Sequence, residues 1–259
     1  GRAAVSILYA TPAQARLLPE PPGGVWPGLR LILIGGARLD TQTRDRLCRF
    51  APNARLHEFY GASETSFITL SDSDTPEGSV GRAYPGVSIS VRDDGGQRVR
   101  PGRTGEIWVE SPYLFSRYLR GATGDTRRRG RGGRALTIGE FGRLDADGYL
   151  WLAGRRGRMV TIADRNVFPE EVETCLLGLS GIARAAVLAR PDEQRGHRLI
   201  AYIDADDGLS DDDILKHCRA RLGPLKAPRL ICRPAPFPVL ASGKPDLRAL
   251  KAVLSGGAP

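Results

Sequence analysis

Cysteine is sparse in this chain. Cys48, Cys175, Cys218 and Cys232 stand far apart and form no Cys-x-x-Cys pair. Neither a zinc ribbon nor a disulfide framework is supported, and free thiols in a reducing cytoplasm are expected. Long apolar runs are also lacking: none approaches the roughly 18 residues that suggest a membrane-spanning helix. The opening Gly-Arg-Ala-Ala-Val has neither an initiator Met nor the layout of a signal peptide, which suggests a trimmed chain. Lysine is nearly missing too. Of 38 basic residues only Lys216, Lys226, Lys244 and Lys251 are lysines, so the net charge of +9 is carried by arginine. The densest cluster (Arg127, Arg128, Arg129, Arg131 and Arg134) is interleaved with glycine and holds no aromatic residue to stack on bases. It reads as a solvated, mobile loop rather than a specific nucleic-acid site, with a contribution to attracting anionic substrates left open.

What is present is a globular balance, 41% hydrophobic and 26% charged over 259 residues, enough for two ordinary domains or one large one. The pattern predicts an α/β protein. Val5–Ala10, Leu29–Ile34 and Ala54–Phe59 read as strands, with helices starting at Pro12 and, capped by Asp40, running to Phe50. Strand, helix, strand at this spacing argues a parallel sheet, and the unbroken apolar run Leu29–Ile34 argues a strand buried on both faces. From Gly81 to Leu152 short β-like pieces (Val87–Arg92, Glu106–Val109, Tyr149–Ala153) lie between glycine and proline turns. They predict a small antiparallel sheet or distorted β-barrel. Beyond Gly154 a small α+β domain is predicted, with helices opening at Pro169, after Ser210 and at Asp246, and strands at Ile182–Ala189, Arg198–Ile203 and Leu230–Arg233. The expected domains are 1–153, divided into an αβ segment 1–80 and a barrel-like segment 81–153, and 154–259.

Five segments carry candidate chemistry. Gly35-Gly36-Ala37 follows a strand, where open α/β sheets bind ligands, although a tight strand-to-helix turn accounts for the glycines as well. Phe59-Tyr60-Gly61-Ala62-Ser63-Glu64-Thr65 crowds an aromatic, two hydroxyls and a carboxylate onto the next strand end. Tyr60 could stack on a flat base, Ser63 and Thr65 could bond phosphate or carboxylate oxygens, and Glu64 could hold Mg²⁺. Glu140, in Thr137-Ile138-Gly139-Glu140, could accept ribose hydroxyls, or be a solvated acid on a hairpin. Gly154-Arg155-Arg156-Gly157-Arg158 lies at the expected boundary, where glycines suit a hinge. Ala241-Ser242-Gly243-Lys244-Pro245 is not a Walker loop, because the earlier glycine is absent and Pro245 stands where Ser or Thr should hold magnesium. Its lysine can still bring a point charge to a phosphate.

In this order the motifs resemble the adenylate-forming superfamily of acyl- and aryl-CoA synthetases, peptide-synthetase adenylation domains and luciferases. The resemblance covers almost the whole chain: Tyr60–Glu64 is similar to Tyr-Gly-x-Thr-Glu, Gly105-Glu106-Ile107-Trp108 to a Gly-Glu-Leu strand, Gly139-Glu140 to Thr-Gly-Asp, Gly154-Arg155-Arg156 to the hinge, and Ala241–Lys244 to the catalytic-lysine loop. It implies an ATP-dependent acid–thiol ligase in which a carboxylate attacks ATP to give an acyl-adenylate. The small C-terminal domain then rotates about a hinge near 154–158 and CoA displaces AMP. The implied roles place Gly35, Gly36 and Ala37 along the adenine and acyl pocket, with Phe59 and Gly61 beside them in the nucleotide-binding segment. Tyr60 would lie on adenine, Ser63 at phosphate and Glu64 on Mg²⁺. Glu140 and Arg155 would hold the ribose, Lys244 would bridge carboxylate and phosphate, and Gly157 would be the hinge.

Departures from the pattern shape the expectation. The superfamily's upstream Ser/Thr/Gly-rich phosphate loop is not in this sequence, so the chain by itself is expected to be inactive. Ile138 is inserted, Glu140 replaces the usual Asp, and Gly157 replaces the customary hinge acid or lysine. Ala163-Asp164 replaces the glycine pair that shapes the pantetheine tunnel. Alternatives are transfer of an acyl or aminoacyl group to a carrier protein, and a degenerate non-catalytic binding module.

Overall fold

The computed structural model describes residues 5–37, 39–121 and 125–255, with the side chains of Arg131 and residues 253–255 excepted. Two compact units divide the chain, Gly1–Leu152 and Ala153–Pro259.

The first unit opens with β1 (Ile7–Ala10), α1 (Pro12–Arg16), β2 (Leu31–Gly35), α2 (Thr41–Phe50) and β3 (Arg55–Ala62). β1, β2 and β3 are parallel neighbours. Both helices begin where side chains can satisfy their free N–H groups. Thr11 and Gln14 form a capping box on α1, and Asp40 Oδ1 accepts from the Thr43 N–H at 2.8 Å on α2. The helices cover one face of the sheet, where Ala10, Ile32 and Ile34 pack with Ala15, Leu39 and Leu47. β2 is not buried on both faces: burial alternates along it, with Leu31 and Leu33 only half-buried. Two antiparallel strands, β4 (Ser66–Leu70) and β5 (Arg82–Ala83), complete a mixed five-stranded sheet in the order β1-β2-β3-β4-β5. Sequence reading missed both.

A second sheet contains β6 (Ser88–Arg92), β7 (Gly105–Glu110), β8 (Arg127–Arg129), β9 (Ala135–Thr137), β10 (Glu140–Leu144) and β11 (Leu150–Arg155). Its order is β11-β10-β7-β9-β8, with β6 also on β7. The expected barrel is corrected to an open sheet. β9 and β10 are short and occupy successive stretches of β7, pairing at Val109–Glu110 and at Gly105–Glu106, and no pairing among the described residues joins β8 to β11. Part of the arginine cluster is strand rather than loop: Arg127–Arg129 form β8, exposed and paired with β9, while Arg131 and Arg134 lie in the connection to β9. Arg127 bonds Glu106, Arg128 bonds the Phe115 and Ser116 carbonyls, and Arg129 bonds that of Gly96.

The second unit continues with β12 (Val160–Ile162), β13 (Arg165–Val167), α3 (Pro169–Leu177), β14 (Ile182–Asp192), β15 (Gly196–Ala205), α4 (Asp211–Lys226), β16 (Leu230–Cys232) and α5 (Leu247–Ser255). The β14–β15 hairpin is the centre of its core. Alternation sends Ala185, Val187, Leu199, Ala201 and Ile203 into a cluster with Val172, Leu176, Ile214 and Cys218, while Ala186, Leu188, Ile200 and Tyr202 meet Phe237 and Leu250 on the other face. Ser210 caps α4 by accepting from the Asp213 N–H at 3.1 Å. Among the described residues no helix is long and apolar enough to cross a membrane.

Candidate active site

Two candidate segments stand at the carboxyl ends of neighbouring parallel strands, the usual ligand edge of an open α/β sheet. Gly35 ends β2, opposite Phe59 of β3. A Cβ on Gly35 would lie 2.1 Å from the Phe59 ring, so this glycine makes room for an aromatic side chain. Gly36 has φ +87°, and its Cβ direction meets only Thr11 Cγ2 at 3.6 Å. Glu58 ties the following loop to β3: it accepts from the Leu39 N–H at 2.9 Å and pairs with Arg44. Phe59 itself belongs to an aromatic row, stacked with Tyr9 at 5.6 Å and in contact with Phe67 at 4.6 Å, which stacks in turn on Tyr84 at 5.2 Å.

Phe59–Thr65 folds as the top of the β3–β4 hairpin, with Ser63, Glu64 and Thr65 as its turn. Gly61 is required there, because a Cβ would lie 1.9 Å from the Ser66 carbonyl oxygen across the bulged pair. Thr65 closes this turn. It is buried, its hydroxyl oxygen accepts from the Ala62 N–H at 3.1 Å and its own N–H donates to the Ala62 carbonyl at 3.1 Å. Ser63 remains exposed at the tip and Glu64 is half-buried. Tyr60 packs beside Ile68, Ile107, Val109 and Leu150, and its buried hydroxyl has no hydrogen-bond partner among the described residues.

Glu64 is held from a distant part of the chain that gave no sequence signal. The Tyr118 hydroxyl donates to Glu64 Oε1 at 2.6 Å, Thr126 Oγ1 lies 2.9 Å from the same hydroxyl, and the Phe115 N–H donates to the Glu64 carbonyl at 3.0 Å. No group of three or more His, Cys, Asp or Glu side chains is placed to hold a metal among the described residues. Glu140 opens β10 and is buried, following Gly139 at φ +76°.

The second unit carries Arg155, Gly157 and Lys244. Arg155 is exposed, and its backbone N–H lies 3.4 Å from Glu170 Oε1. Gly157 sits in a short 3₁₀ turn, Arg156–Arg158. The next residue, Arg158, donates to Glu173 at 2.7 and 3.1 Å and to the Val187 carbonyl at 2.8 Å, and lies 3.4 Å from Glu170. Burial pushes the Glu170 carboxyl above its ordinary range against the opposing pull of Arg158. Ala163 and Asp164 join β12 to β13 with φ of 45° and 61°, both left-handed. Lys244 is exposed on a small loop closed by hydrogen bonds from the Leu240 N–H to the Lys244 carbonyl and from the Gly243 N–H to the Leu240 carbonyl, each 2.8 Å.

Residues 2–119 match the AMP-binding enzyme family, and residues 171–244 match the AMP-binding enzyme C-terminal domain. The chain belongs to the AMP-binding, adenylate-forming family. It is 33% identical to an uncharacterised acyl–CoA ligase of Bacillus subtilis, over 94% of this chain and 49% of that protein. Its identity to the indoleacetate–CoA ligase of Aromatoleum aromaticum is 29%, over 96% and 50%. Among solved structures, the amide bond synthetase of Marinactinospora thermotolerans superposes with a TM-score of 0.79 at 27% identity, covering 96% of this chain and 52% of that one. The o-succinylbenzoate CoA synthetase of Bacillus subtilis, in complex with its acyl-adenylate intermediate, gives 0.77 at 26%, covering 96% and 51%. The chain thus spans about half the length of these relatives.

Proposed function

We propose that the polypeptide carrying this chain is an ATP-dependent acid–thiol ligase that activates a carboxylic acid as its acyl-adenylate and transfers the acyl group to CoA. The observation that carries the reading is the Ser63–Thr65 turn, which presents a tethered carboxylate at the ligand edge of the sheet in a family whose relatives include acyl–CoA ligases. Gly36 and Ala37 line the nucleotide edge beside Gly35, Phe59 and Gly61. Tyr60 stacks on adenine, Ser63 bonds phosphate, and Glu140 and Arg155 hold the ribose. Gly157 is the hinge of a mobile C-terminal domain, a backbone position that also allows a second conformation.

Glu64 fits Mg²⁺ as a single carboxylate, with no group of three or more His, Cys, Asp or Glu side chains placed to hold a metal among the described residues. Such a cation takes one or two carboxylates and completes its shell with substrate phosphates and water. Bound there, it would neutralise charge on ATP. Lys244 places its ammonium between the attacking carboxylate and the α-phosphate, where two anions must approach. Lys244→Ala should lower acid-dependent ATP–pyrophosphate exchange by about 10²–10³-fold, the usual cost of losing one preorganised donor. Exchange near the wild-type rate would remove Lys244 from the mechanism.

Ala163 and Asp164 support a second choice of acceptor. Their left-handed backbone keeps a glycine-like shape while adding two side chains, an alteration compatible with a carrier-protein thiol as acceptor. Thioester formation on CoA against a carrier domain decides between them.

A further inference from the structure

We infer that Tyr118 is a positioning residue for the Glu64 carboxylate, fixing one oxygen so that the other meets the cation; this rests on the metal role proposed for Glu64. Glu64 sits in a turn, where a long acid side chain would otherwise sample several rotamers. A hydrogen bond of 2.6 Å from Tyr118 to a charged acceptor fixes the carboxylate plane and commits Oε1, leaving Oε2 as the oxygen to turn towards a metal ion. Because Tyr118 donates its one proton to Glu64, the 2.9 Å contact with Thr126 has the threonine hydroxyl as donor. The order is therefore Thr126 to Tyr118 to Glu64, and each link polarises the next.

The support for Tyr118 is itself braced. The Phe115 ring meets Tyr118 edge-on at 4.7 Å, and the Phe115 N–H holds the Glu64 carbonyl at 3.0 Å. Arg128 lies over Phe115, with its guanidinium carbon 5.4 Å from the ring centre. It donates to the Phe115 carbonyl, to that of Ser116 at 3.2 Å and to that of Gly133 at 3.2 Å. One segment thus grips Glu64 by both backbone and side chain, although 54 residues separate Tyr118 from it. A turn needing only to stay folded would be served by the backbone bond; the hydroxyl contact acts on the carboxylate alone.

The test uses the natural polypeptide, with Mn²⁺ as probe in the presence of a non-hydrolysable ATP analogue and free Mn²⁺ read by electron paramagnetic resonance. Tyr118→Phe should weaken Mn²⁺ binding by about tenfold, the scale of one hydrogen bond to a charged group. In exchange assays it should raise the Mg²⁺ concentration for half-maximal rate while leaving the rate at saturating Mg²⁺ close to wild type. Thr126→Val should produce a change of about two- to threefold in the same direction, with Thr126→Ser restoring binding. Glu64→Gln is the reference. If it weakens Mn²⁺ binding and Tyr118→Phe does not, the positioning role is wrong and the Glu64 role stands. If Glu64→Gln leaves Mn²⁺ binding unchanged, both are wrong. Should Tyr118→Phe fold poorly, the Thr126 pair decides, and unchanged binding in a stable Thr126→Val variant overturns the inference.

Discussion

Arg158 fixes the first residue beyond the proposed hinge, and its removal should loosen the second unit locally. Its guanidinium satisfies Glu173 with two hydrogen bonds, caps the Val187 carbonyl and faces Glu170. Only 24% of the Arg158 side chain is exposed, against 17% for Glu173 and 22% for Glu170, so this is neither a surface pair nor a fully dry one. Removing one partner of a buried pair costs about 3–5 kcal/mol, whereas exposed pairs contribute about 1 kcal/mol or less. Glu173 keeps one donor after the loss, because the Val187 N–H reaches Oε1 at 2.8 Å. An intermediate figure of about 2–3 kcal/mol follows for Arg158→Met, equal to about 30- to 150-fold in an opening equilibrium. All three tryptophans (Trp26, Trp108 and Trp151) precede the second unit, so fluorescence would report the wrong body. Amide hydrogen exchange in α3 and β14 is the suitable assay, combined with Glu173→Gln in a double-mutant cycle. Protection within twofold of wild type would show that the arginine is held by the fold rather than holding it.

Two further outcomes concern the same unit. The raised pKa of Glu170 means that the folded protein retains a proton the unfolded chain has released, between the ordinary glutamate range and the raised value. Stability should therefore be fully present below that window and fall as pH rises through it. Glu170→Gln should melt higher than wild type at neutral pH and equally at about pH 4, the ordinary glutamate range; a gain that persists in acid would point elsewhere. At the β12–β13 turn, left-handed Ala163 carries strain of about 1–2 kcal/mol, partly offset because glycine loses about 0.4–1 kcal/mol more entropy on folding. Ala163→Gly should thus stabilise by up to about 1 kcal/mol in urea unfolding followed by circular dichroism, and a loss of stability would contradict the turn geometry.

Local chemistry made much of the fold legible. Asp40 and Ser210 announce α2 and α4 because a short acceptor side chain before a helix satisfies its free N–H groups, and both do so here. Apolar runs located β2, β7 and β14 for the same local reason. The second sheet was less legible because β8 is three arginines and β9 is three residues long, so strand identity comes from pairing rather than from composition. β2 read as doubly buried because its run is continuous, yet only the face towards α1 and α2 is sealed. Within the candidate site the motifs mark segments but not orientations. Thr65 resembles Ser63 in sequence and differs in use, since one hydroxyl closes the turn and the other stays exposed. Tyr118 had no local signal at all, because its role depends on a contact across 54 residues.

The arginine surplus then acquires a structural account. A chain with 32 glycines and 19 prolines has many turns whose carbonyls lack a regular partner. A planar guanidinium with five donors can bridge two or three such carbonyls at once, which a lysine ammonium on its flexible stem does less well. Arg46 donates to the carbonyls of Ala15 and Arg16, at 2.6 and 2.8 Å. Arg92 and Arg129 converge on Gly96 from two strands, at 2.9 and 3.0 Å. Arg128 spans the Phe115, Ser116 and Gly133 carbonyls, and Arg233 joins Leu209 to Asp211. Guanidinium groups spent on the chain's own loops are not arrayed for successive phosphates of a nucleic acid, which needs free donors at regular spacing. The +9 charge therefore reports how the loops are fastened.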